Sequence, residues 1–184
     1  LRGRLKVGPW YLMPDELLPS GEALIRNFLR GRRIAREYGS APWPVGYLPD
    51  LFGHIAQMPQ ILRGFGIRTA VAWRGIDERN PAFLIWSAPD GSSCNLLHHP
   101  YQGYGDFSFV RMAEDFDSAF REMVAREKDL YGETFILSDA FDHQEIPADA
   151  PAVLRRIRTL FPDAGIRWTD FTDLEIWNHP EHLP

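Results

Sequence analysis

Short apolar segments, each bounded by turn residues and separated by stretches of helical periodicity, set the tightest limit on this fold. Val45-Gly-Tyr-Leu48 ends on Pro49-Asp50, Thr69-Ala-Val-Ala-Trp73 ends on Arg74, and Thr134-Phe-Ile-Leu137 runs into Ser138-Asp-Ala-Phe-Asp-His143. Such runs are too short for helices and too uniformly apolar for half-exposed strands, so they read as buried strands. Between them the spacing predicts helices. One starts after the N-cap Ser20, carries Leu24, Ile25, Phe28 and Leu29, and ends near Gly39. Others cover 56–65, 109–128 and 152–161, the 109–128 helix with Phe109, Ala113, Phe116, Phe120, Met123 and Val124 on one face. Phe83–Trp86 and Cys94–Leu97 flank Asp90-Gly91, a hairpin signature. Leu5–Val7 and Ile166–Trp168 read as further short strands, and Thr172-Asp-Leu-Glu175 as a capping box opening a last helix. The order predicts an α/β class with a mainly parallel sheet and flanking helices in a single domain over residues 1–184. The sheet is either open or part of a larger barrel.

Composition removes several alternatives. The 184 residues carry a net charge of −5, and their Lys and Arg are dispersed except at Arg30-Gly-Arg-Arg33, which sits in a helical pattern. A nucleic-acid partner is not expected from such a balance. No apolar run approaches the length of a membrane span, and no membrane partner is expected. Cys94 is the single cysteine, so an internal disulfide is excluded and a reducing, cytoplasmic setting is expected. The aromatic share of 13% exceeds what a minimal core requires; most such rings are expected in the core, while exposed ones are common walls for sugar rings.

In parallel α/β architectures reactive groups collect at the carboxyl ends of strands. Three of the strands end that way: at Asp50, at Arg74, and at Asp139 with Asp142. An ion pair or an N-cap accounts for any one of them alone, whereas all three on one rim suggest a site. Two carboxylates suit glycoside hydrolysis, one attacking the anomeric carbon or activating water and the other protonating the leaving oxygen. Retention of configuration would place them about 5–5.5 Å apart. The acid needs burial or a nearby negative charge to keep its proton, and Phe141 offers Asp142 an apolar flank. His54, His98, His99 and His143 are candidate metal ligands by residue type, but none lies in a spacing of the His-Glu-x-x-His kind.

The stretch Gly46-Tyr-Leu-Pro-Asp-Leu-Phe-Gly-His-Ile-Ala-Gln-Met-Pro-Gln-Ile-Leu62 resembles the signature of glycoside hydrolase family 38. Val7-Gly-Pro-Trp-Tyr-Leu-Met-Pro-Asp-Glu16, Ala70-Val-Ala-Trp-Arg-Gly75 and Trp86-Ser-Ala-Pro-Asp-Gly-Ser92 follow the family order as well. The resemblance implies part of a glycosidase-type (β/α) barrel and a retaining α-mannosidase with one catalytic zinc. It makes Asp50 both nucleophile and zinc ligand, places Arg74 beside the nucleophile and the sugar, and matches Asp142 to the acid/base, with Asp139 a rival. Trp10 and Tyr104 match aromatic positions lining the sugar site. The family's other zinc ligands come from a His-Thr-His-Trp-Asp type segment and a His-Asp-Ser/Ala-Ile segment, neither of which occurs in this sequence. The expectation is therefore an internal part of the catalytic domain that alone binds zinc poorly, has little activity, and associates with itself or with a missing catalytic-domain segment. The alternatives are a mannosylglycerate hydrolase, and a non-catalytic sugar-binding remnant or subunit of a split enzyme.

Overall fold

A computed structural model describes residues 5–172 and the backbone of 181–182. The described residues fall into two compact units, one within 1–100 and 170–184, the other within 101–169.

The first unit carries the sheet. Helix α1 (Gly21–Glu37) begins where the Ser20 hydroxyl accepts from the Ala23 amide at 3.3 Å, as the cap residue predicts. Strand β1 (Val45–Leu48) leads through helix α2 (Met58–Gly64) to β2 (Thr69–Ala72), and β3 (Phe83–Ser87) and β4 (Ser93–His98) form the expected hairpin. Gly91 at the hairpin turn has φ +85°, a backbone region that favours glycine. The sheet order is β1-β2-β4-β3-β5, where β5 is the two-residue Glu181–His182. Neighbours are parallel except β3 and β4, so the fold is a mostly parallel α/β sheet with flanking helices. Leu5–Val7 is not a regular strand: Val7 makes an isolated parallel bridge to Pro42.

One apolar core, built on Leu24, Phe28, Leu48, Met58, Leu62, Ile67, Ala70 and Leu96, fixes α1 and α2 against the sheet. Burying each large side chain contributes about 1.5–3 kcal/mol. Gly31 lets the chain at Pro9–Tyr11 lie directly on α1, because a Cβ there would sit 2.3 Å from the Trp10 carbonyl carbon. Cys94 is in this core, and burial pushes its thiol up to about 12, so it is an inert apolar filler.

The second unit is helical among the described residues. The helix expected over 109–128 is two helices, α3 (Asp106–Arg111) and α4 (Phe116–Tyr131). The break falls at Asp115, whose carboxylate accepts from the Ser118 amide at 3.2 Å and caps α4. Phe109 consequently leaves the predicted face and is 48% exposed, while Phe116, Phe120 and Met123 pack with Phe107, Val110 and Ile157 of helix α5 (Ala150–Leu160). Residues 134–137 and 166–168 were expected as strands but have no ladder partner among the described residues. Leu137 and Ile166 instead pack, partly buried, against this helical core. The final helix expected from Thr172 lies outside the described residues. No helix among the described residues is long and apolar enough to cross a membrane.

Candidate active site

Strands β1 and β2 are parallel neighbours with Leu48 opposite Ala72, so the residues that follow them emerge side by side at the carboxyl edge. There the Arg74 Nε donates to Asp50 Oδ1. The pair is accessible, with side-chain exposures of 37% for Asp50 and 38% for Arg74. The guanidinium is held over two rings, Trp73 at 4.0 Å and Phe52 at 5.1 Å from their centroids. Stacking of this kind suits a planar guanidinium and fixes the angle at which it meets the carboxylate.

Beneath that pair lies a buried polar bridge that the sequence did not reveal. The Glu16 side chain is fully buried. Its Oε1 lies 2.9 Å from His54 Nδ1, and its Oε2 accepts from the Ile55 amide at 2.9 Å. On the other face of the ring, His54 Nε2 lies 3.0 Å from the Arg74 carbonyl oxygen. That oxygen can only accept, so Nε2 carries a proton. Trp86 meets the His54 ring edge-on, with centroids 5.4 Å apart. Next to it Asp15 Oδ1 accepts from the Phe52 amide at 3.2 Å. A glycine is needed where the two loops approach: Gly75 has φ +78°, and a Cβ there would lie 3.2 Å from Gly53 Cα.

Trp10 packs its ring on Phe28, 3.9 Å between centroids, and donates its indole N–H to the Tyr47 carbonyl at 2.9 Å. Its ring therefore braces α1 and β1. His98 and His99, at the end of β4, are buried, and burial lowers them to about 4 and about 3. They are neutral residues of the interior.

In the second unit the Tyr104 hydroxyl donates to Asp142 Oδ1 at 3.1 Å, bringing together two of the residues singled out from the sequence. Asp142 is exposed, contrary to the burial expected for it. Phe141 turns its ring edge-on to Phe109, 5.0 Å away between centroids, and packs there. Asp139 is engaged differently. It accepts from the Ser108 hydroxyl at 2.8 Å and from Arg111 Nε at 3.0 Å. These contacts tie the 138–142 segment to α3. Ser108 and Arg111 carried no signal in the sequence, because their role depends on a partner some 30 residues away. Asp50 and Arg74 belong to one compact unit, Tyr104 and Asp142 to the other.

No group of three His, Cys, Asp or Glu among the described residues could hold a metal ion. Asp50 faces a guanidinium, and both ring nitrogens of His54 face other groups. The described residues alone do not fit a zinc site, which needs about four ligands.

A family model described as "Glycosyl hydrolases family 38 N-terminal domain" matches residues 2–149. A protein of Halalkalibacterium halodurans named "Putative mannosylglycerate hydrolase" is 34% identical over 93% of this chain and 21% of its own length. Alpha-mannosidase G of Dictyostelium discoideum is 31% identical over 90% of this chain and 15% of its own length. The crystal structure of an alpha-mannosidase from Enterococcus faecalis superposes with a TM-score of 0.85 at 24% identity, over 99% of this chain and 22% of that one, which supports the fold. The chain thus spans between 15% and 21% of the length of these two relatives.

Proposed function

We propose an activity from one established premise: the chain belongs to glycosyl hydrolase family 38, within its N-terminal domain. The protein carrying it cleaves α-mannosyl linkages with retention of configuration. The observation that supports this reading is Asp50 at the end of β1, accessible and oriented by Arg74. A carboxylate so placed can attack an anomeric carbon, forming a bond from its oxygen to C1 as the bond to the leaving oxygen breaks. Arg74 holds the nucleophilic oxygen in one direction in this reading.

Asp142 is the acid/base in this reading. It gives its proton to the leaving oxygen and then takes one from the water that releases the sugar. The Tyr104 hydroxyl orients it. Asp139, fastened to Arg111 and Ser108, suits an anchoring role better than proton transfer. Arg74, Trp10 and Tyr104 form the proposed sugar-contacting set. Zinc belongs to the reading through Asp50 alone, with its further ligands supplied by segments other than the described residues, and no step is assigned to it. The barrel is likewise a proposal: the outer edge of β1 has no strand partner among the described residues, and a closing strand or a further catalytic-domain segment would pair there. A cytoplasmic setting remains part of the proposal, resting on the lone Cys94.

A second reading, an α-mannosyl substrate such as mannosylglycerate, is favoured by the name of the Halalkalibacterium relative. Assaying the intact protein on an aryl α-mannoside and on mannosylglycerate separates the two. Turnover of the aryl mannoside with retention supports the first; turnover confined to mannosylglycerate supports the second; turnover of neither overturns both.

A further inference from the structure

We infer that Glu16 and His54 are positioning residues that set the register between the Asp50 loop and the Arg74 loop; the inference rests on the activity proposed above. Three connections carry it. Glu16 reaches the Asp50 loop twice, through His54 Nδ1 and the Ile55 amide, both at 2.9 Å. His54 crosses from that loop to the main chain of Arg74 at 3.0 Å. Arg74 then returns to Asp50 through its side chain, closing a ring of contacts. The nucleophile and its guanidinium come from two different strand ends, so the strand pairing of Leu48 with Ala72 leaves the loops beyond it unfixed. The imidazole is the strut between those loops. Its position is in turn over-determined by a fully buried carboxylate and by Trp86.

A strut of this kind acts on the reacting geometry and not on sugar affinity. A displacement of about 1 Å in a reacting group costs about 100-fold in rate. Removing only one partner strands a buried carboxylate or imidazole, so the informative variant replaces both together: Glu16→Leu with His54→Phe, which leaves no buried charge unpaired and frees only the Ile55 amide and the Arg74 carbonyl. In the intact protein this variant is expected to fold, to keep KM for an aryl α-mannoside within about threefold, and to lose roughly 10- to 100-fold in kcat. A second variant, His54→Gly, is expected to regain part of its kcat when imidazole is added, because free imidazole can refill the space and bridge Glu16 to the Arg74 carbonyl.

A folded double variant with kcat within twofold of the unsubstituted protein overturns the inference while leaving the activity intact. So does equal loss in kcat and thermal stability with no recovery of His54→Gly by imidazole. Absence of turnover in the unsubstituted protein overturns the proposed activity and this inference with it.

Discussion

Arg74 donates from Nε to Oδ1 of Asp50, linking the residues that follow two adjacent parallel strands. The geometry is side-on, with the guanidinium laid over Trp73 and Phe52. A lysine would keep the charge and lose both the fixed donor direction and the stacking. Arg74→Lys is therefore expected to lower kcat/KM on an aryl α-mannoside by roughly 10- to 100-fold, with a fold unchanged by circular dichroism. Activity within twofold of the unsubstituted protein would mean that only the charge matters.

Asp139 and Asp142 are expected to separate cleanly. Asp142→Ala should slow hydrolysis of mannosides with poor leaving groups by about 100-fold or more, and affect activated aryl leaving groups far less, since those depart without a proton. Asp139→Ala should instead lower the melting temperature, because it leaves Arg111, with a largely buried side chain, without one of its carboxylate partners. Comparing leaving-group dependence and melting curves for the two variants checks the assignment. A leaving-group effect in Asp139→Ala and none in Asp142→Ala would exchange the roles.

Stability should fall in acid through the buried histidines. Burial lowers His98 to about 4 from the ordinary value of 6.5. Between those values the unfolded chain binds a proton that the folded protein refuses, so stability is full above about pH 6.5 and declines as pH drops toward 4. One such group gives a slope of about 1.4 kcal/mol per pH unit in that window. His98→Gln is expected to remove about one proton from the uptake on unfolding at pH 5. Denaturation measured from pH 4.5 to 7 tests this; an unchanged slope would place the acid sensitivity elsewhere.

Zinc affords a test of the isolated segment. The described residues hold no group of three candidate ligands. The 184-residue chain by itself is expected to retain well under one zinc per chain after desalting, measured by elemental analysis. Stoichiometric zinc would show that the segment builds a complete site.

Much of this was legible in the sequence where local chemistry decides. The runs at 45–48 and 69–72, mostly apolar and mostly buried, are parallel strands. Ser20 capped α1, and Asp90-Gly91 turned the hairpin. The runs at 134–137 and 166–168 look the same locally and are not strands, since a strand also needs a ladder partner that no local pattern specifies. The split at Asp115 went unread because aromatic residues keep their helical spacing across it. In the site, Asp50 and Arg74 were found by asking which strands end in reactive groups. Glu16 escaped, and His54 was weighed only as a candidate metal ligand, because their contact spans 38 residues. Ser108 and Arg111 escaped for the same reason.

Asp50 is the proposed nucleophile, and a trapped intermediate tests it. Incubating the intact protein with a fluorinated α-mannosyl fluoride, which forms the glycosyl-enzyme faster than it releases it, should leave one mannosyl adduct per chain. Peptide mass spectrometry should locate that adduct on Asp50, and Asp50→Ala should abolish it. A stable adduct on another carboxylate, or full turnover by Asp50→Ala, would contradict the account.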